Sequence, residues 1–243
     1  MWVSADAPAP QKRPFLHMDW AQLVCKARHS LKSILIADAE LLFAEALHAA
    51  LEGPDFSIAA DHPLTGLDAV KAVLHHRPDV ALIDYWLEGM NGPAATRIIL
   101  RRSPGTKVLL LSWFQGERES RESAFAGATA LVSKGVELEQ LVSTILIVGN
   151  LAHPPAPVRA RPSAGSAEAP ADPTWEAQER LLSLTLREIE VLGLLAGHSP
   201  KAIAKSLGVS LGTVRNHIHQ VTTKLQARTQ LEAVDLARSF GFI

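Results

Sequence analysis

Over residues 33 to 149 the chain alternates short runs of Val, Ile and Leu with longer segments whose apolar positions recur at helical spacing. The runs near 33–38, 57–60, 80–84, 107–112 and 130–133 predict strands. The segments near 40–52, 66–76, 92–103, 118–126 and 137–149 predict helices. The strand runs are nearly continuous in apolar residues, which argues for burial on both faces and hence for a parallel sheet with crossover helices. Five such units predict an α/β domain, a doubly wound five-stranded parallel sheet, whose functional crevice lies at the carboxyl ends of the strands.

The pattern fails over residues 150 to 174, "NLAHPPAPVRARPSAGSAEAPADPT", which hold six prolines and little else besides Ala, Ser and charge. Such a stretch buries too little apolar surface to offset the entropy of ordering, so it reads as a flexible linker. Helical periodicity resumes after it, without strands, and predicts a small all-α domain over 175–243. The expected division is an N-terminal extension at 1–32, disordered in part, an α/β domain at 33–149, a linker at 150–174 and the helical domain at 175–243. Met18 is an alternative natural start to Met1.

Composition narrows the classes. The formal net charge of −1 gives the whole chain no bias toward nucleic acid or membrane, so any such preference must be local. Cys25 is the only cysteine, which excludes an internal disulfide and fits a reducing, cytoplasmic setting. No apolar run approaches a membrane span, and the start lacks the apolar block of a secretory signal.

The strand tips hold candidate chemistry. The first ends in Asp38, the third in Asp84, the fourth in Ser112, and Lys134 follows the fifth. Any one of these polar residues can simply mark where a strand leaves the core. Together they supply a carboxylate for a hard cation, a second able to accept a phosphoryl group, a hydroxyl for its oxygens and an ammonium to neutralise its charge.

On those four residues and the segment "ALIDYWLEGMNGPAATRII", residues 33 to 149 resemble the receiver domain of bacterial two-component response regulators. The resemblance implies that Asp84 is the phosphoacceptor, that Ser112 and Lys134 contact the phosphoryl group and relay its arrival, and that Asp38 and Asp84 help to hold magnesium. It also exposes departures. Ala39 stands where the family carries a second acid that ligates the metal directly, which weakens the site. Glu40, one position on, is expected to project differently and to act as an acid at a helix N-terminus. Trp113 replaces a small residue beside the switch hydroxyl and can shield the pocket, Leu131 replaces a frequent aromatic, and Glu88 replaces a usual proline.

The helical domain carries the local charge bias. From Val191 through Leu231 there is no Asp or Glu, while Lys201, Lys205, Arg215, Lys224 and Arg228 are cationic, an electrostatic footprint for phosphates. Ser199 and Pro200 predict a helix start and Gly208 its close; Ser210 caps a second helix after a tight turn. On that helix Val214, Ile218, Val221 and Leu225 form one apolar stripe, opposite Thr213, Asn216, His219, Gln220 and Thr223. Residues 184 to 237, with "TVRNHI" and "REIEVL", resemble the four-helix LuxR-type DNA-binding domain of the NarL/FixJ response regulators. The resemblance implies that Arg215, Asn216 and His219 face bases, that Lys201, Ser210, Thr213 and Lys224 lie near phosphates, and that Glu188 and Glu190 hold the scaffold. His217, near the stripe, reads as a packing residue rather than a metal ligand, and His75 and His76 carry no assigned role.

The expected protein is therefore a cytoplasmic, non-enzymatic transcriptional regulator. It binds double-stranded DNA as a homodimer, with a sensor histidine kinase as partner and phosphorylation of Asp84 as the control. The alternative is a phosphorylation-independent regulator whose receiver serves dimerisation or ligand sensing. A phosphatase of the aspartyl-phosphate type is disfavoured, because Trp86 stands where such enzymes place a second acid.

Overall fold

The structure, a computed structural model, describes residues 32–59, 62–150 and 173–243. The expectations for Met18, Cys25 and most of the extension and linker lie outside those residues. The first domain runs β1 (Lys32–Ala37), α1 (Leu41–Leu51), β2 (Phe56–Ile58), α2 (Gly66–His76), β3 (Val80–Asp84), α3 (Gly92–Arg102), β4 (Lys107–Ser112), α4 (Glu117–Ala126), β5 (Ala130–Ser133) and α5 (Leu138–Asn150). The strands pair in parallel in the order β2-β1-β3-β4-β5. The order reverses at β1, so the crevice at the topological switch point falls between the tips of β1 and β3.

Burial on both sheet faces explains the unbroken apolar runs. Ile34, Ile36, Leu82, Leu109 and Leu111 point to one side, against Leu47 of α1 and Ile145 of α5. Leu35, Ala81, Ile83, Val108 and Leu110 point to the other, against Val70 of α2 and Ile98 of α3. Gly92 is required where α3 meets the sheet, because a Cβ there would lie 2.4 Å from the Asp84 carbonyl oxygen.

The second domain consists of α6 (Pro173–Leu182), α7 (Leu186–Leu195), α8 (Pro200–Ser206), α9 (Leu211–Leu225) and α10 (Gln230–Ser239). Two boundaries shift from expectation: Asn150 completes α5, and α6 starts at Pro173, so both ends of the expected linker are helical. Proline suits the first turn of a helix, where its missing N–H has no partner to lose. Thr185, Ser199, Ser210 and Thr229 each accept a hydrogen bond from the backbone N–H three residues on, which fixes where α7, α8, α9 and α10 begin. The α9 stripe of Val214, Ile218, Val221 and Leu225 is buried as its spacing required.

Candidate functional site: an acid pocket and an exposed helix face

Three carboxylates converge on one ammonium at the switch point. Lys134 Nζ lies 2.9 Å from Asp38 Oδ1, 3.3 Å from Asp84 Oδ1 and 3.4 Å from Glu40 Oε2. Asp38 is fully buried, and Asp84 and Lys134 nearly so. The parallel register produces this convergence: β1 pairs with β3, β3 with β4 and β4 with β5, and the Lys134 N–H donates to the Ser112 carbonyl at 2.9 Å. Burial pushes the Asp38 carboxyl above its ordinary value, against the pull of Lys134 and of the Glu40 amide, which donates to Asp38 Oδ1. Burial works downward on Lys134, but its bond to Asp38 and the charge of Asp84 outweigh it and hold the ammonium above its ordinary value. Ser112 is fully buried, and its Oγ accepts the Phe114 amide at 3.1 Å.

Glu40 stands at the N-cap of α1, but no helix amide reaches its side chain. Its carboxylate instead accepts from Trp113 Nε1 at 3.1 Å and from Lys134, and the Trp113 bond is the main cause that holds it below the usual carboxylate range. Phe43 meets the Trp113 ring edge to face at 5.8 Å, and both rings stand over Lys134 Nζ, at 4.9 and 5.9 Å. Glu40, Phe43 and Trp113 thus roof the pocket. Phe43 was missed in the sequence, although it lies three residues after Glu40 and so on the same helix side.

The pocket offers a divalent cation a reduced set of protein ligands. Asp38 Oδ2 is buried and has no hydrogen-bond partner among the described residues, and Asp84 supplies a second carboxylate. Magnesium that keeps several waters needs only one or two protein carboxylates, so the residues fit it. Ala39 adds no donor, and no cluster of three His, Cys, Asp or Glu poised for a metal occurs among the described residues.

The basic helix presents a different surface. Lys201, Ser210, Thr213, Arg215, Asn216, His219 and Gln220 are exposed together, and His217 is half-buried against the stripe. Ser210 Oγ accepts the Thr213 amide at 3.0 Å and contacts Thr213 Oγ1 at 2.9 Å, so it both starts α9 and fixes its first turn. Lys224, expected near phosphates, is engaged within the domain. Its ammonium donates to both Glu188 oxygens, at 2.8 and 2.7 Å, and Glu188 closes a capping box with Thr185. Burial works upward on Glu188, but Lys224 and the Thr185 amide outweigh it and hold the carboxylate below its usual range.

The two domains meet along α2, α3 and the loop after Asp84. The Asn91 N–H donates to the Gly241 carbonyl at 2.9 Å, and Arg102 donates to the Leu184 carbonyl at 2.5 Å. Phe242 is buried in an apolar cluster that runs from β3 and α3 into α7 and α10. Gly241 has φ +70, and a Cβ on it would strike the Asn91 side chain. Exposed ion pairs at the rim, Lys71 with Glu190 and Arg101 with Glu179, add little. The polar side of α9, with Thr213, Asn216, His219 and Gln220, is exposed.

Residues 34–146 match the response regulator receiver domain, and residues 182–237 match the bacterial regulatory proteins of the luxR family. The chain is 31% identical over 214 residues to the transcriptional regulatory protein DegU of Brevibacillus brevis, covering 83% of this chain and 90% of that one. It is 30% identical over 215 residues to the transcriptional regulatory protein DesR of Bacillus subtilis (strain 168), covering 86% and 98%. Among solved structures, a LuxR-family DNA-binding response regulator from Staphylococcus aureus is 27% identical, covers 49% of this chain and all of its own, and has a TM-score of 0.47. The chain belongs to the two-component response regulators with a LuxR-type DNA-binding domain, and is a transcriptional regulator. No helix among the described residues is long and apolar enough to cross a membrane.

Proposed function

We propose that Asp84 is the phosphoacceptor of a receiver spanning about residues 33–149, and that its modification governs dimerisation and promoter binding by a domain spanning about 175–243. One observation carries this reading. Asp84 stands at the head of the loop whose Asn91 amide is bonded to Gly241 at the far end of the DNA-binding domain, so one short loop links the acceptor to the seam.

An Asp84 oxygen forms the O–P bond as the P–N bond of a phosphohistidine on a sensor kinase breaks, and the imidazole leaves with the electron pair. Lys134 is positioned to neutralise the phosphoryl charge, and Ser112, whose Oγ accepts the Phe114 amide, keeps its O–H to donate to the phosphoryl oxygens. Asp38 and Asp84 would hold magnesium, which offsets phosphoryl charge when bound. The aspartate is modified once per event and no substrate turns over, so the protein acts in the cytoplasm as a switch rather than an enzyme.

On DNA, Arg215, Asn216 and His219 face base edges in the major groove, with Lys201, Ser210 and Thr213 toward phosphates and two copies on two half-sites. Lys224 is better placed to hold Glu188 than to reach a phosphate. Arg215→Ala is expected to weaken binding to a preferred site by about 1–3 kcal/mol and to relax sequence preference, read from a promoter library at fixed salt.

Acetyl phosphate with magnesium, followed by mass spectrometry, tests the acceptor: an adduct is expected on Asp84 and none on Asp84→Asn. The roof of Glu40, Phe43 and Trp113 and the missing donor at Ala39 favour a second reading, phosphorylation-independent control. Absence of any adduct on the wild-type protein selects that reading.

A further inference from the structure

A cavity of about 370 Å³ lies in the seam, bounded by α3 and α4 on one side and by α10 with its tail on the other. Arg97, Arg118 and Arg238 reach its wall against a single carboxylate, Glu122. That carboxylate is already engaged, accepting from the Tyr85 hydroxyl and from Arg118 Nε. Arg97 is the anomaly. Its Nε is buried with no hydrogen-bond partner among the described residues, and its Nη2 reaches the Phe240 carbonyl only at 3.3 Å. Burial pulls its guanidinium below the ordinary arginine value, and the Glu122 charge offsets this only in part.

A desolvated guanidinium whose nearest carboxylate is bonded elsewhere is incompletely compensated, and its planar fork of donors matches carboxylate and phosphate oxygens. We propose that the seam cavity is a binding site for a small organic anion, bearing phosphate or carboxylate groups, that bridges Arg97 of the receiver to Arg238 of the DNA-binding domain. The volume falls within the usual range for small-ligand sites, about 300–1,000 Å³. Such an anion touches both domains, so it binds the docked arrangement more tightly than a separated one and shifts the population toward it. The inference rests on that docking and not on acceptor chemistry at Asp84.

The test uses the full chain with inorganic phosphate and citrate as separate probes at constant ionic strength. A saturable rise in Tm is expected with at least one probe, the same in wild type and Asp84→Asn, with slower hydrogen exchange at the Asn91 amide. Arg97→Gln and Arg238→Gln should each weaken the apparent affinity at least tenfold. Arg238 is exposed, so its variant decides the matter even where Arg97→Gln fails to fold. The proposal is overturned by no saturable rise with either probe, or by a rise that Arg238→Gln retains, which marks an adventitious ion only. A response lost in Asp84→Asn also overturns it, because it moves the anion to the acid pocket. Phosphate active without citrate, or the reverse, identifies the anion class.

Discussion

Lys134 of the receiver and Lys224 of the DNA-binding domain are each held by carboxylates, and the two centres are built to opposite ends. Lys224 and Glu188 form a completed unit: both carboxylate oxygens receive the ammonium, the same carboxylate caps α7, and Lys224 keeps about a third of its side-chain surface in water. Lys134 is buried among three acids, one of which, Asp38, has an oxygen with no partner among the described residues. A satisfied polar pair specifies a scaffold; a buried group short of a partner stores interaction energy that an incoming ligand can use. The difference separates a helix clamp from a place for chemistry without reference to sequence likeness.

The largest expected effect comes from removing the ammonium of the buried centre. Lys134→Ala leaves two buried carboxylates facing one another and should cost about 3–5 kcal/mol at neutral pH in urea unfolding of the receiver. The loss should shrink in acid as Asp38 takes up a proton. A loss independent of pH would contradict the assignment of Lys134 as their counter-ion.

Glu188→Ala should cost less, about 2–3 kcal/mol, since it removes a cap and a charged hydrogen bond while Lys224 can turn to water. The loss should appear in the DNA-binding domain alone, and adduct formation at Asp84 should be unchanged. Equal destabilisation of both domains would instead make the seam, rather than the capping box, the main recipient of the damage.

The smallest effect is the pH response of that clamp. Glu188 is held below its ordinary value of 4.5, so its contribution is fully present above that value and is lost as pH falls through the lowered one. Acid titration of wild type against Glu188→Gln should show a fall in stability in that window that the variant lacks.

Much of this was legible in the chain because it depends on local rules. Unbroken apolar runs required a two-sided sheet, Ser199, Pro200 and Ser210 marked helix starts within a residue, and the spacing of Val214, Ile218, Val221 and Leu225 separated the buried side of α9 from the exposed one. The four strand-tip residues were found because doubly wound sheets place function at carboxyl ends.

The remainder depended on directions in space that no residue carries alone. Glu40 follows Ala39 in sequence and would serve as an ordinary helix-start acid, yet the fold brings Trp113 and Lys134 within its reach and turns it over the pocket. Lys224 belongs to the basic stretch, but packing of α9 on α7 sets it beside Glu188. Gly241 drew no reading from the sequence, and only the docked domains show that Asn91 occupies the place where a side chain would have to go. Periodicity and capping are properties of neighbours along the chain and so were determined by sequence; which charges meet, and which stay unpaired, is set by contacts between distant segments that only the packed structure decides.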